Sequence, residues 1–115
     1  MEVTIHRIYD QPLPSGYKVL ADRLWPRGIS KEEAHLDAHW AECAPSDELR
    51  KWFSHDAEKW GEFRKKYLHE LSEKKDTVRS LVRESKEERI ILLYGAKDTD
   101  HTHAKVLKEY IEKLQ

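Results

Sequence analysis

The sequence is short of most features that announce a specialised class. It has one cysteine, Cys43, so no disulfide forms within the chain. That suits a reducing compartment and excludes the small secreted folds held by disulfides. The longest apolar run, Ile90 to Tyr94, falls far below the ~20 residues a membrane-spanning helix needs. The N-terminus, MEVTIHRIYD, lacks the basic and then apolar pattern of a secretory signal. A soluble, cytoplasmic protein with no membrane association is expected. Charge of one sign is also missing: lysine and arginine number 21 against 22 acids, a formal net charge of −1. A general nucleic-acid binder carries a basic surplus, so that class is not indicated. The local run Arg64-Lys65-Lys66 keeps it open. Glycine and proline are sparse, four each, and no repeat, low-complexity tract or linker divides the chain. Its 115 residues read as one domain with one modest core.

Charged residues are abundant, 37% of the chain, and alternate in sign, as solvated helix faces do. Val3 to Tyr9 is rich in β-branched residues and predicts a first strand. DQPLPSG (10–16) predicts a loop, and Tyr17 to Asp22 a second strand that WPRG stops. Ser30-Lys31-Glu32-Glu33 has the form of a capping box, and Leu36, Trp40, Cys43 and Ala44 follow on one helical face. Ser46 predicts the cap of a short helix through Phe53, and Asp56 the cap of a longer one carrying Trp60, Phe63, Tyr67 and Leu71. Asp76 opens a further helical piece with Val78, Leu81 and Val82 inward. Arg89 to Tyr94 has the length and apolarity of a strand buried on both faces. Leu107, Tyr110, Ile111 and Leu114 mark a last helix.

These elements predict a small α/β domain: a central, largely parallel sheet of about three strands flanked by helices. The helical crossover from the second strand to the third favours a parallel pair. The first loop is short for a parallel crossover, which leaves the first strand free to run antiparallel and the sheet mixed.

If the strands at 17–22 and 89–94 lie side by side, each ends in polar side chains. Asp22, Arg23 and Arg27 follow one; Lys97, Asp98, His101 and His103 follow the other. Ligands in open α/β sheets bind outside the carboxyl ends of strands, and the last helix would point its free N–H groups there. Arg23, Arg27, Lys97 and His101 are candidate ligand-binding groups for a small anion or phosphate-bearing molecule. Asp22, Asp98 and His103 are candidate acid–base groups. The same residues also admit a structural reading, with Asp22 and Arg23 pinning a loop, Trp25 plugging the core and Pro26 making a turn.

Other clusters are weaker. Asp98, Asp100, His101 and His103 could ligate a metal, but Asp98 or Asp100 equally suits a helix cap, and no metal site is assigned. His35, His39 and Cys43 share one stripe if the first helix is continuous, although Cys43 also suits a buried, inert thiol. The aromatics from Trp40 to Tyr67 fit core packing better than base stacking. Neither strand-end loop carries a phosphate- or dinucleotide-binding glycine pattern, so the cofactor is unknown.

YKVLADRLWPRG, APSDELRKWFSHD, the Trp-x2-Phe-x3-Tyr-x3-Leu run from Trp60 and LLYGAKDTDHTHAKVL resemble the YeaO-like proteins. These are the short branch of a bacterial and archaeal family of unknown function. The resemblance runs from residue 3 to about 112. It implies a small α/β domain with a central, largely parallel sheet, and no established activity. Longer relatives carry Leu-Leu-Cys-x-Glu at a late strand end and then Cys-His-Arg. Here Tyr94, Ala96, Thr102 and Ala104 replace both cysteines, the glutamate and the arginine, while only His103, and the Asp98 and His101 that precede it, match. Thiol chemistry is therefore not implied. Two functions compete: an enzyme or ligand-binding protein with an anion site at the strand ends, and a non-catalytic module for a protein or nucleic acid. Oligomeric state is not set by the sequence.

Overall fold

The computed structural model describes residues 1–86 and 89–115. Its centre is strand β4 (Arg89–Tyr94), apolar from Ile90 onward. Strand β1 (Glu2–Arg7) pairs with β4 on one side and β2 (Tyr17–Leu20) on the other; β3 (Ala38–His39) pairs with β2 at the far edge. All pairs are parallel, in the order β1-β4-β2-β3. Side chains alternate along a strand. Ile90 and Leu92 therefore face one core cluster, and Ile91 and Leu93 the other. All four are fully buried, as a strand covered on both faces requires.

The two faces are covered differently. Val3, Val19, Ala21, Ile90 and Leu92 meet α2 (Asp47–Phe53), α3 (Trp60–Glu73), α4 (Lys75–Ser85) and α5 (His103–Leu114) through Phe53, Phe63, Tyr67, Leu71, Val78, Leu107 and Ile111. Arg64 of α3 donates from Nε (3.0 Å) and Nη2 to the Glu109 carboxylate of α5, which binds those helices and holds the carboxyl below its usual range. On the other face, Ile8, Leu20, Ile91 and Leu93 lie under Leu13, Trp25, Ile29 and Leu36, all outside helices and strands.

The chain departs from the sequence expectations in three places. First, β1, whose direction the sequence leaves open, runs parallel, and among the described residues the sheet has no antiparallel strand. A short link suffices because residues 8–16 cross β4 as a loop rather than a helix, burying Ile8 and packing Leu13 against the sheet. The loop passes so close to β4 that a Cβ on Gly16, at φ +148°, would lie 3.0 Å from the Arg89 carbonyl oxygen. Second, the sheet has a fourth strand, β3. The helix capped by Ser30 lasts only one turn, α1 (Lys31–Ala34), and ends at His35 in the left-handed region. Asp37 then replaces helix bonds with sheet bonds. Its carboxylate accepts the Lys18 N–H at 2.8 Å, its own N–H donates to the Lys18 carbonyl, and the Trp40 N–H donates to Leu20. The sheet captures a segment whose local pattern is helical, as tertiary pairing commonly does. The stripe of His35, His39 and Cys43 therefore does not exist. Third, the first two strands stop early, at Arg7 and Leu20 rather than at Tyr9 and Asp22.

The later helices form close to where the sequence predicts them. Ser46 accepts the Leu49 N–H and caps α2; Asp56 caps a 3-10 turn (Ala57–Lys59) that leads directly into α3. Trp40, Phe53, Phe63 and Tyr67 are buried. Trp52 is half-buried, with the Lys59 and Lys66 ammonium groups 5.1 and 4.4 Å from its ring. No described helix is long and apolar enough to cross a membrane.

Two glycine substitutions separate crowding from propensity. Gly16→Ala should lose about 1–3 kcal/mol in urea denaturation, from backbone strain and overpacking. Gly61→Ala, in α3 with open space around it, should gain up to about 1 kcal/mol.

Candidate functional site

Strands β2 and β4 end side by side. The Ala21 N–H donates to the Leu93 carbonyl at 2.8 Å and extends their ladder one residue beyond β2. Asp22 then turns its carboxylate toward the next segment. Oδ2 accepts the Gly95 N–H at 2.8 Å, and Oδ1 lies 3.3 Å from His103 Nε2. Gly95 permits this approach, since a Cβ there would sit 3.2 Å from Asp22 Oδ2.

His103 is the first residue of α5, whose cap is Thr102, accepting the Ala104 N–H, rather than Asp98 or Asp100. Its Nε2 also faces the Ala21 carbonyl at 3.0 Å. With two acceptors there, the bonding pattern assigns the proton to Nε2 in the neutral ring and leaves Nδ1 as an acceptor. His39 donates from Nε2 to the Asp22 carbonyl at 2.7 Å, so the edge strand buttresses the same residue.

Arg23 leaves the sheet beside Asp22. Its Nη2 donates to the Pro45 carbonyl at 2.9 Å, while Nε lies 3.6 Å from Asp47 Oδ1. Among the described residues, that buried Nε–H has no acceptor within hydrogen-bond distance, which is uncommon for a buried donor. The same Asp47 oxygen lies 3.6 Å from Arg50.

These groups surround an open cleft of about 440 Å3 between the strand ends, α2 and the start of α5. Asp22, Arg23, Asp47, Arg50, His55, His101 and His103 supply polar groups; Leu24, Ala44, Pro45, Phe53 and Phe63 supply apolar wall. Leu24 is 73% exposed, unusual for a leucine, and sits on this wall.

The cleft thus gathers Asp22, Arg23, His101 and His103 from the residues the sequence singled out. Asp98 is not in the lining but fixes His101. Its Oδ2 bonds to His101 Nδ1 at 2.8 Å, and Oδ1 accepts the Asp100 and His101 N–H groups at 2.9 and 3.0 Å. The His101 ring and these N–H groups hold the Asp98 carboxyl below its usual range. Trp60 meets the other side of His101 edge-on, 5.5 Å between ring centres. Arg27 and Lys97 are exposed and do not line the cleft; the Arg27 carbonyl instead accepts the Tyr9 hydroxyl at 2.9 Å.

DRLWPRG therefore divides. Asp22, Arg23 and Leu24 face the cleft, while Trp25 packs into the second core and donates to the Ile29 carbonyl at 2.6 Å. Asp47, Arg50, Phe53 and His55 were not singled out as site residues. Their sequence signals are their place in the APSDELRKWFSHD motif and the polar Ser54-His55-Asp56 break after α2, where Ser54 and His55 both take positive φ and reverse the chain.

Cys43 is fully buried, and burial pushes its thiol up to about 12, so it is no nucleophile at neutral pH. The buried Tyr67 hydroxyl donates to its carbonyl at 2.5 Å, and burial keeps that phenol protonated. Among the described residues, no group of three or more His, Cys, Asp or Glu is arranged to hold a metal ion.

The Asp98 contacts predict a pH effect. A carboxyl held low in the folded state stabilises it above the ordinary value of about 3.9, and that contribution disappears as pH falls through the folded value. Asp98→Asn should therefore shallow the acid limb of a Tm-against-pH curve below about pH 4.

Residues 2–115 match a family described as the inactive DUF488-N3 subclade. The chain is 40% identical to the uncharacterised protein YeaO of Escherichia coli (strain K12) over 115 residues, covering 99% of this chain and 100% of that protein. It is also 40% identical to uncharacterised proteins of Mycobacterium tuberculosis and Mycobacterium bovis over 70 residues, covering 60% of this chain and 59% of each of them. No solved structure matches it significantly. The extent of these matches, across nearly every residue that builds the sheet and the cleft, places the chain in the YeaO-like, inactive DUF488-N3 family.

Proposed function

We propose that the protein binds a small organic anion in the strand-end cleft without turning it over. The observation that carries this reading is the Arg23 Nε–H at the cleft: among the described residues it is buried without a hydrogen bond, its ion-pair partner Asp47 Oδ1 standing 3.6 Å away. Asp47 answers its charge at that distance but not its hydrogen bond, which a ligand oxygen would supply. Arg50 and His55 lie on the same wall, and the α5 N-terminus adds partial positive charge beside Thr102. Leu24, Phe53 and Phe63 suit an apolar body attached to the anionic head.

Binding without turnover is supported by the family's description as inactive and by the chemistry present. Cys43 is sealed and protonated, and both strand-end cysteines of the longer relatives are replaced here. Asp22 and His103 have the form of an acid–base pair. In a binding site the pair has another use, since His103 Nδ1 can accept a hydrogen bond from a ligand hydroxyl. The alternative of a nucleic-acid or protein module has less support. In the basic run 64–66, Arg64 is engaged by Glu109 and Lys66 lies over Trp52.

A thermal-shift series with inorganic phosphate, small carboxylates, aryl phosphates and nucleotides tests this. A ligand at a hundred times its Kd stabilises by about 2.7 kcal/mol, a shift of several degrees in a domain of this size. Aryl or acyl anions should shift Tm more than inorganic phosphate, and Arg23→Lys, which keeps the charge but removes the Nε–H, should weaken binding at least tenfold while the fold is retained. A flat series, or one unchanged in Arg23→Lys, contradicts the proposal.

A further inference from the structure

We infer that the protein forms a two-fold dimer by pairing β1 antiparallel with β1 of a second copy. The two edges of the sheet differ. Strand β3 is only two residues long, which gives little to pair with, whereas β1 is six residues long and ends the sheet on the other side. Edge strands are commonly blunted by lysine, proline or a bulge. The middle of β1, Val3-Thr4-Ile5-His6, has no lysine or proline, and its register with β4 is unbroken from Glu2 to Arg7.

The hydrogen-bond pattern states which backbone groups are open. The Ile8 N–H donates to the Tyr94 carbonyl, so Ile8 points its backbone at β4. Backbone direction alternates along a strand, so Thr4 and His6 also point inward, and Val3 and Ile5 point their N–H and C=O outward. No hydrogen bond reaches those outward groups among the described residues.

This parity restricts the pairing. In an antiparallel ladder, only outward residues can exchange bonds, so Val3 must face Ile5 of the partner subunit or a register shifted by two. With Val3 opposite the partner's Ile5, Thr4 lies on the two-fold axis opposite its own copy. Glu2 then lies opposite the partner's His6, and His6 opposite the partner's Glu2. That register places an acid against an imidazole twice and a threonine against a threonine, both favourable cross-strand pairs. Shifting by two residues either way puts Thr4 opposite His6 or Glu2 and loses both acid–imidazole pairs. Within one chain Glu2 also meets Arg89, 3.4 Å away, and His6 Nε2 donates to the Asp10 carbonyl at 2.7 Å. Glu2 would then sit between two basic groups. A self-complementary strand of this kind selects a second copy of this chain over an unrelated partner, because one register satisfies both sides by symmetry. The product is one continuous eight-stranded sheet from two four-stranded ones.

The test combines mass with cross-linking. Light scattering of the wild type should move from 13.7 kDa toward twice that mass as concentration rises to millimolar. Residues opposite each other at a non-hydrogen-bonded antiparallel position lie close enough for a disulfide. Thr4→Cys should therefore give a covalent dimer on mild oxidation. His6→Cys should cross-link at least tenfold more slowly, because the two copies of residue 6 would lie about 13 Å apart. Cys43 is buried and does not compete. A constant 13.7 kDa at every concentration, or Thr4→Cys cross-linking no faster than His6→Cys, overturns the inference.

Discussion

The strand-end site depends on one carboxylate. Asp22 holds the Gly95 N–H at the end of β4 and faces His103 at the start of α5, while its carbonyl is held by His39 from the edge strand. Three elements that are distant in sequence are thereby fixed around one residue. A charge in this position has to be answered by several donors, because a half-buried carboxylate without them is costly. The local geometry follows from that need. A glycine at 95 leaves room for the close approach, and the chain from β4 to α5 returns over the end of β2.

The sheet's asymmetry explains where such a site can form. One face carries four helices and the larger core; the other is closed by loops around Ile8, Trp25 and Leu36. The loop crossover from β1 to β2 saves a helix at the cost of a tight passage at Gly16. The cleft opens on the helical side, where α2 leans over the strand ends and supplies Phe53 and Arg50. Its walls combine apolar surface with arginines that are only partly neutralised, since one Asp47 oxygen is shared between Arg23 and Arg50.

Much of this was legible in the sequence, for physical reasons. The run Ile90–Tyr94 has one stable environment, the middle of a sheet, and the charged residues after it and after β2 had to gather at adjacent strand ends. Asp22, Arg23, His101 and His103 followed from that. Arg27 and Lys97 did not join them; Trp25 packs against the second core and Pro26 is buried beside it, carrying the chain away before Arg27. Strand β3 was illegible because its pairing depends on Asp37 and Lys18, 19 residues apart, overriding a good local helix signal. Arg50 and His55 were illegible because the placement of α2 over the cleft is a matter of packing, which local periodicity does not encode.

The central claim is that the groups assembled around Asp22 receive a ligand. Amide and arginine Nε correlation spectra of 15N-labelled protein, titrated with an aryl phosphate, test it most directly. The account predicts saturable shifts at the Arg23 Nε–H and at the amides of Gly95, Thr102 and His103, with β1 and the far ends of α3 and α4 unmoved. Shifts scattered over the surface, or none at the Arg23 Nε–H at millimolar ligand, would contradict it.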